Sequence, residues 1–256
     1  MKILIAAPVY QKEHIFIEYL KGLDGLVYPP DWQVDRMFIL HNCPELEPLI
    51  KGKADYLHYS TMEKYQTDDF THRWSDLLIA TVAAMKNEII KTALSRGYDY
   101  LFLVDSDLVL HPLTLMQLWQ VDKDIIAECF WTRWQPNTKE MPNAWNFNNY
   151  EFYNERVIET WKEPGVYRVG MTGACTLIKR KVLEAGVNFD KVYNLNFWGE
   201  DRHFCVRAAA YGFDIWLDTH CPPAHLYREA EYLQYMTARY GGKEPYDANL
   251  PDGGSM

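Results

Sequence analysis

The sequence predicts an α/β fold with a mostly parallel central sheet and flanking helices, and three observations carry that expectation. Short apolar runs alternate with helix-sized segments through the first half of the chain, the pattern of strand and helix crossover units. Leu101 to Val104 is an uncharged run bounded by polar residues, which suits a strand buried on both faces better than a hairpin arm. That run breaks at once into Asp105-Ser106-Asp107. Two carboxylates then sit at the carboxyl end of a strand, the edge where open α/β sheets bind ligands.

Taken in order, Ile3 to Val9 is a β-rich run, and Glu13 to Leu23 carries Phe16, Leu20 and Leu23 at helical spacing. Val34 to Leu40 is a second strand and Asp55 to Ser60 a third. Ser75 or Asp76 offers an N-cap to a helix whose apolar face is Leu78, Val82, Met85 and Ile89, ending near Gly97. After the Asp pair, Pro112 is expected at the first position of a helix over Leu113 to Trp119, and Asp124 to Phe130 as a strand. Between Trp131 and Lys162 periodicity fails while aromatic residues accumulate among Asn and Pro, which predicts a long aromatic loop. Val166 to Met171 and Ala174 to Ile178 read as extended, Asp201 to Tyr211 as a helix closed by Gly212, and Asp214 to Asp218 as the last strand. No repeat or linker divides the chain, so residues 1–250 are expected to form one domain, followed by a flexible Gly-rich tail at 251–256.

Composition limits the partners. At 256 residues and 48% hydrophobic content the chain can bury a large core. A net charge of -9, with 26 dispersed Lys and Arg, disfavours nucleic acid and anionic membranes. No run reaches the ~18 apolar residues of a spanning helix. The opening MKILIAAPVY reads as a first strand because its apolar core runs quickly into charge. Five scattered cysteines with no C-x-x-C pair argue against a disulfide framework or zinc knuckle, and a reducing, cytoplasmic setting is expected.

Several stretches fit one site with the Asp pair. Trp198-Gly199-Glu200-Asp201 places two acids at the opening of a helix, where the free amides and helix dipole favour negative charge, and a general base fits there. The bulky indole beside a glycine has the composition of a lid, so Asn194 to Gly199 is expected to be mobile and to order over a bound ligand. Asp218 to His225 adds two imidazoles, His220 and His225, in a Pro-stiffened loop, either of them a candidate metal ligand. A carboxylate and imidazole shell suits Mn²⁺ and tolerates Mg²⁺. Asn42 follows the second strand, and Lys86 and Asn87 lie on the helix before the Asp pair, from where amide and ammonium groups can reach a base or phosphate. The pattern Asp-x-Asp is weak alone, since Asp122-Lys123-Asp124 also matches it in a connector.

On these residues the chain resembles glycosyltransferases of the GT-A fold, close to the large family 2 of nucleotide-sugar transferases, over nearly its whole length. Pro8 and Tyr10 resemble that family's opening segment, which cradles the nucleoside, and Asp105-Ser106-Asp107 resembles its metal motif. Glu200 and Asp201 resemble the acidic pair at which inverting members place their base. VGMTGACTLIKR and the spacing from Asp218 to His225 are similar to the later region, where a histidine completes the metal site. In place of the family's Asp-Asp-Gly-Ser after the second strand stands His41-Asn42-Cys43-Pro44.

The resemblance implies a Rossmann-like sheet with a nucleotide-sugar-binding half over 1–110 and an acceptor and catalytic half over 111–250. It implies transfer of a sugar, with inversion, from a UDP- or GDP-type nucleoside diphosphate sugar to a hydroxyl acceptor that is a carbohydrate, a lipid-linked molecule or a small molecule. Asp107 and His225 would hold Mn²⁺ or Mg²⁺ with Asp105 beside it, Asp201 would be the base, and Ser106 and Trp198 would lie on the donor side. The alternatives are a retaining transferase on the same fold and a noncatalytic carbohydrate-binding protein that uses the aromatic loop as a platform.

Overall fold

The structure is a computed structural model that describes residues 1–61, 75–135, 138–147, 155–195 and 199–241. Among them the elements run β1 (Lys2–Val9), α1 (Glu13–Asp24), β2 (Gln33–His41), α2 (Glu47–Ile50), β3 (Tyr56–Ser60), α3 (Asp76–Ser95), β4 (Tyr100–Val104) and β5 (Leu108–Val109). They continue with α4 (Thr114–Val121), β6 (Ile125–Glu128), β7 (Trp131–Thr132), β8 (Met141–Pro142), β9 (Ala144–Trp145), α5 (Glu155–Thr160), β10 (Val166–Val169), β11 (Met171–Thr172) and β12 (Cys175–Lys179). The last are α6 (Arg180–Glu184), α7 (Glu200–Ala210), β13 (Ile215–Asp218), β14 (Ala224–His225) and α8 (Glu229–Tyr240).

Eight strands form one sheet in the order β3-β2-β1-β4-β12-β6-β13-β10. Every neighbouring pair is parallel except those made by β12, antiparallel to β4 and β6, and by β10, antiparallel to β13. The sheet is therefore mostly parallel, as the alternating pattern predicts.

Strand β1 shows why the runs are continuously apolar. Leu4 and Ala6 face a layer with Met85, Ile89 and Phe204 of α3 and α7, while Ile3, Ile5 and Ala7 face Phe16, Tyr19 and Leu23 of α1. Strand β4 divides likewise, with Leu101 and Leu103 on the first face and Phe102 and Val104 on the second. Both faces are covered, so neither can be polar. Helix α3 starts as expected: the Ser75 hydroxyl accepts a hydrogen bond from the Leu78 N–H.

The second half departs from the sequence reading in detail. Leu113 caps α4, so Pro112 lies before the helix rather than at its first position, and α4 runs to Val121. Strand β6 covers only the middle of the expected Asp124 to Phe130 run. Among the described residues of the expected aromatic loop, β7 pairs with β8 and β9 with β11. Two-residue strands are too short to leave a repeat in the sequence. Trp161, expected in that loop, is a core residue. The expected tail at 251–256 lies outside the described residues.

Candidate active site

The carboxyl ends of β1, β2 and β4 and the amino end of β12 open into a cavity of ≈470 Å³. Its lining includes Pro8, Tyr10, Lys86, Asp105, Ser106, Asp107, Glu200, Asp201 and His225, so nine of the sequence-selected residues share one space.

The Asp pair is held by its backbone. The Tyr19 hydroxyl donates to the Val104 carbonyl (3.2 Å) at the end of β4. The Asp105 N–H donates to the carbonyl of Ala174 (2.8 Å), and the Leu108 N–H closes a turn onto the Asp105 carbonyl (3.1 Å). Ala174 takes a left-handed backbone (φ 68°), a strained choice for a residue with a Cβ, and it also lines the cavity.

His225 arrives by a different route. Strand β14 pairs antiparallel with β5, setting His225 opposite Leu108, and the Leu226 N–H donates to the Asp107 carbonyl (2.8 Å). The His225 Nε2 thereby stands 3.4 Å from Asp107 Oδ2, and the ring meets Phe130 edge-on at 4.8 Å. Among the described residues its buried Nδ1 has no hydrogen-bond partner. His220 goes elsewhere: its ring pairs with Asp218 (3.0 Å), and it is not part of the lining.

Across the cavity, Lys86 is buried on α3 and donates to Glu200 Oε1 (2.6 Å) and Asp201 Oδ1 (2.8 Å). Burial opposes its charge, but the Asp201 and Glu200 carboxylates outweigh that and hold the ammonium well above the ordinary lysine range. Asp105 is pushed up by burial, against the pull of Lys86, and further by the Asp201, Asp107 and Glu200 carboxylates. Asp201 is raised by burial, with Lys86 again opposing. The two acids of α7 differ in access: 32% of the Asp201 side chain is exposed, against 6% of Glu200. Asp201 is the acid that a substrate can reach.

Two glycines make this corner possible. Gly199 caps α7 with φ 103°, a backbone that favours glycine. Gly173 lies so close to Asp201 that a Cβ there would stand 2.1 Å from Oδ2. Asn143 ties the two sides of the site together. Its side-chain oxygen accepts from the Phe130 N–H (2.9 Å) and its amide donates to the Gly173 carbonyl (3.1 Å).

Two sequence-selected residues, Asn42 and Asn87, stand apart from this arrangement. Asn42 adopts φ 55°, and it is the neighbouring His41, its pKa lowered by burial, that joins the lining, with its ring 6.1 Å from that of Tyr10. Asn87 spends both ends of its amide on the connector at 187–190, donating to Asp190 (2.7 Å) and accepting from the Phe189 N–H (2.8 Å), so it is not in the cavity wall. Trp198 and two of its expected lid neighbours, Asn196 and Phe197, lie outside the described residues. The second Asp-x-Asp is a surface connector, with Asp122 bound to Lys179 (2.6 Å) and Asp124 to Lys181 (2.8 Å). Sequence reasoning missed Asn143, whose role depends on the β7–β8 ribbon, and Gly173, for which the Gly-rich stretch between β10 and β12 was a usable signal.

Among the described residues no three His, Cys, Asp or Glu side chains gather closely enough to hold an ion by themselves. No described helix is long and apolar enough to cross a membrane.

No protein-family model matches the chain, and no curated protein matches it in sequence. Solved structures do match, and they are glycosyltransferases of the GT-A type, so the chain has the GT-A fold. TarS residues 1–349 from S. aureus, in complex with UDP, superposes with a TM-score of 0.53 at 15% identity, over 87% of this chain and 59% of that one. The mannosyltransferase PcManGT from Pyrobaculum calidifontis, in complex with GDP-Man and Mn²⁺, gives a TM-score of 0.54 at 12% identity, over 93% and 60%. The chain thus spans about three fifths of the length of these neighbours.

Proposed function

We propose that this chain is a metal-dependent glycosyltransferase that moves a sugar from a UDP- or GDP-type nucleoside diphosphate sugar to a hydroxyl acceptor with inversion. The observation that carries the proposal is the cavity itself, in which the Asp107 and His225 pair faces a reachable carboxylate, Asp201, braced by a buried lysine. The neighbours in complex with UDP and with GDP-Man support a nucleotide-sugar donor.

The residues fit a divalent ion. Asp107 and His225 supply hard and borderline ligands within one coordination sphere's reach of each other, and four carboxylates, Asp105, Asp107, Glu200 and Asp201, share the cavity with two cationic side chains, Lys86 and Arg202. Asp107 and His225 would hold the ion. When bound, the ion offsets charge on the departing diphosphate. Asp105 stands beside that pair and orients the donor.

The chain's own residues do the rest. The nucleoside lies against Pro8, Tyr10 and His41, with Ser106 near the donor, in the half formed by 1–110. The acceptor enters over the half formed by 111–250. Asp201 takes the acceptor hydroxyl proton as that oxygen bonds to the anomeric carbon, while the bond to the diphosphate oxygen breaks and its electron pair leaves with the diphosphate. Attack from the face opposite the diphosphate inverts the anomeric centre. Lys86 holds the acid in place rather than binding phosphate. Five buried, free thiols fit a reducing compartment, and the proposal places the protein in the cytoplasm.

Titration of UDP and GDP with Mn²⁺ or with EDTA tests the donor and metal assignments together. One nucleotide should bind with Mn²⁺ and lose at least ~10-fold affinity in EDTA, and Asp107→Ala should behave like EDTA. Undiminished binding in EDTA contradicts the metal assignment. Product NMR then separates inversion from retention.

A further inference from the structure

The cavity has two ends of different chemistry. Along the sheet edge the order is β2, β1, β4, β12, β6, so His41 and Pro8 stand at one end and Phe130, just past β6, at the other. From β1 to β6 is three strand spacings, roughly 14 Å. The carboxylates of Asp105 and Asp201 lie between. The far end carries two indoles: Trp134 from the β7–β8 connection and Trp145 on β9, with ring centres 6.4 Å apart and planes tilted by 46°. Both line the cavity, and Trp134 is 43% exposed although it is a large apolar side chain.

This wall is built. Arg228 is nine-tenths buried, and its guanidinium donates to the carbonyls of Arg133 (2.8 Å) and Trp134 (3.0 Å), fixing the backbone that carries the first indole. Trp145 is set by the pairing of β9 with β11 and is covered by the Arg202 guanidinium at 5.3 Å. Arg202 directly follows Asp201, so the wall begins beside the proposed base. The same guanidinium is ion-paired with Glu231 (3.4 Å), so the start of α8 is tied to the backbone that carries the indole.

We infer that Trp134 and Trp145 form the acceptor subsite, and that the acceptor is a carbohydrate whose pyranose ring lies with its C–H face on an indole and one hydroxyl directed to Asp201. This rests on the transferase reading above and narrows its acceptor class. The chemistry selects a sugar ring because it is apolar on its faces and polar at its rim. The indoles take the faces, and Asp201, Arg202 and Tyr227 line the same cavity as polar groups for the rim. Arg228 is a positioning residue for the wall, since it holds the backbone of Trp134 from outside the cavity lining.

Saturation-transfer NMR with methyl α- and β-glycosides of glucose, galactose, mannose and N-acetylglucosamine tests this, with Mn²⁺ and either UDP or GDP present. At least one glycoside should bind, with the strongest transfer to the ring protons of one face. Trp134→Leu and Trp145→Leu should each weaken it at least ~10-fold, while nucleotide affinity by calorimetry stays unchanged. Arg228→Met should weaken the glycoside and leave nucleotide binding intact, and Arg228→Lys should restore it only in part. Nucleotide binding without any glycoside binding, or glycoside binding indifferent to both Trp substitutions, overturns the subsite while leaving the transferase reading standing. A loss confined to the extra affinity of a nucleotide sugar over its nucleotide assigns the wall to the donor sugar instead and also overturns it. Absence of nucleotide binding defeats the transferase reading itself.

Discussion

Replacing Gly173 with alanine isolates the placement of Asp201 from its chemistry. The new Cβ would stand 2.1 Å from Asp201 Oδ2 and 2.4 Å from its Cγ. An ordinary carbon to oxygen contact is about 3.4 Å, so the carboxylate must retreat by roughly 1 Å. Lys86 holds Oδ1 at 2.8 Å on the other side, which limits where the carboxylate can go. A displacement of about 1 Å at a reacting group costs on the order of 10²-fold in turnover, whereas overpacking at a cavity wall costs about 1–3 kcal/mol of stability. Gly173→Ala should therefore fold and bind the donor nucleotide normally, with turnover down by ~100-fold. Because the effect runs through Asp201, adding Gly173→Ala to Asp201→Asn should cost little more than Asp201→Asn alone. Nucleotide release from the donor, followed in all three variants, is the assay. Near-normal turnover by Gly173→Ala, or full additivity in the double variant, refutes the reasoning.

Two further outcomes follow from the buried charges. Lys86→Met leaves Glu200 and Asp201 facing each other without their cation, and removing one partner of a buried pair costs about 3–5 kcal/mol, so denaturant unfolding should shift strongly, with Glu200→Gln added to Lys86→Met recovering part of the loss. A Lys86→Met protein as stable as the parent would mean that the ammonium is dispensable. Glu128, at the end of β6, is pushed up to about 9 by burial and by the neighbouring Asp218 carboxylate. Its folded value lies above its unfolded one, so its contribution is fully present below about pH 4.5 and is lost as pH rises towards 9. Glu128→Gln should flatten the decline in thermal stability between those limits and raise the melting temperature at pH 8; an unchanged slope contradicts the assignment.

The legible part of the fold is the part buried on both faces. Strands β1 and β4, and β2 from Met37 to Leu40, are apolar runs because helices cover both sides of the sheet, and the Asp pair stands out where such a run stops. Lys86 is legible on its helix, and its pairing with Glu200 and Asp201 is not. It lies four residues after Val82 and three before Ile89, on the same face as the core stripe, and that spacing was the available sign that its ammonium points inwards. The approach of His225 to Asp107 was beyond local reading, since it depends on two-residue strands whose pairing joins segments more than a hundred residues apart. The β7–β8 and β9–β11 ribbons were hidden for the same reason. Tertiary contacts order them, not local preference.

The central claim is that Asp201 is the base of a sugar transfer, and donor turnover by Asp201→Asn tests it most directly. The asparagine keeps the size of the side chain and a hydrogen-bonding oxygen but cannot take up the acceptor proton. The account predicts donor affinity within about twofold of the parent and turnover reduced by at least ~100-fold, as expected when a general base is lost. Turnover close to that of the parent, with donor affinity intact, contradicts it.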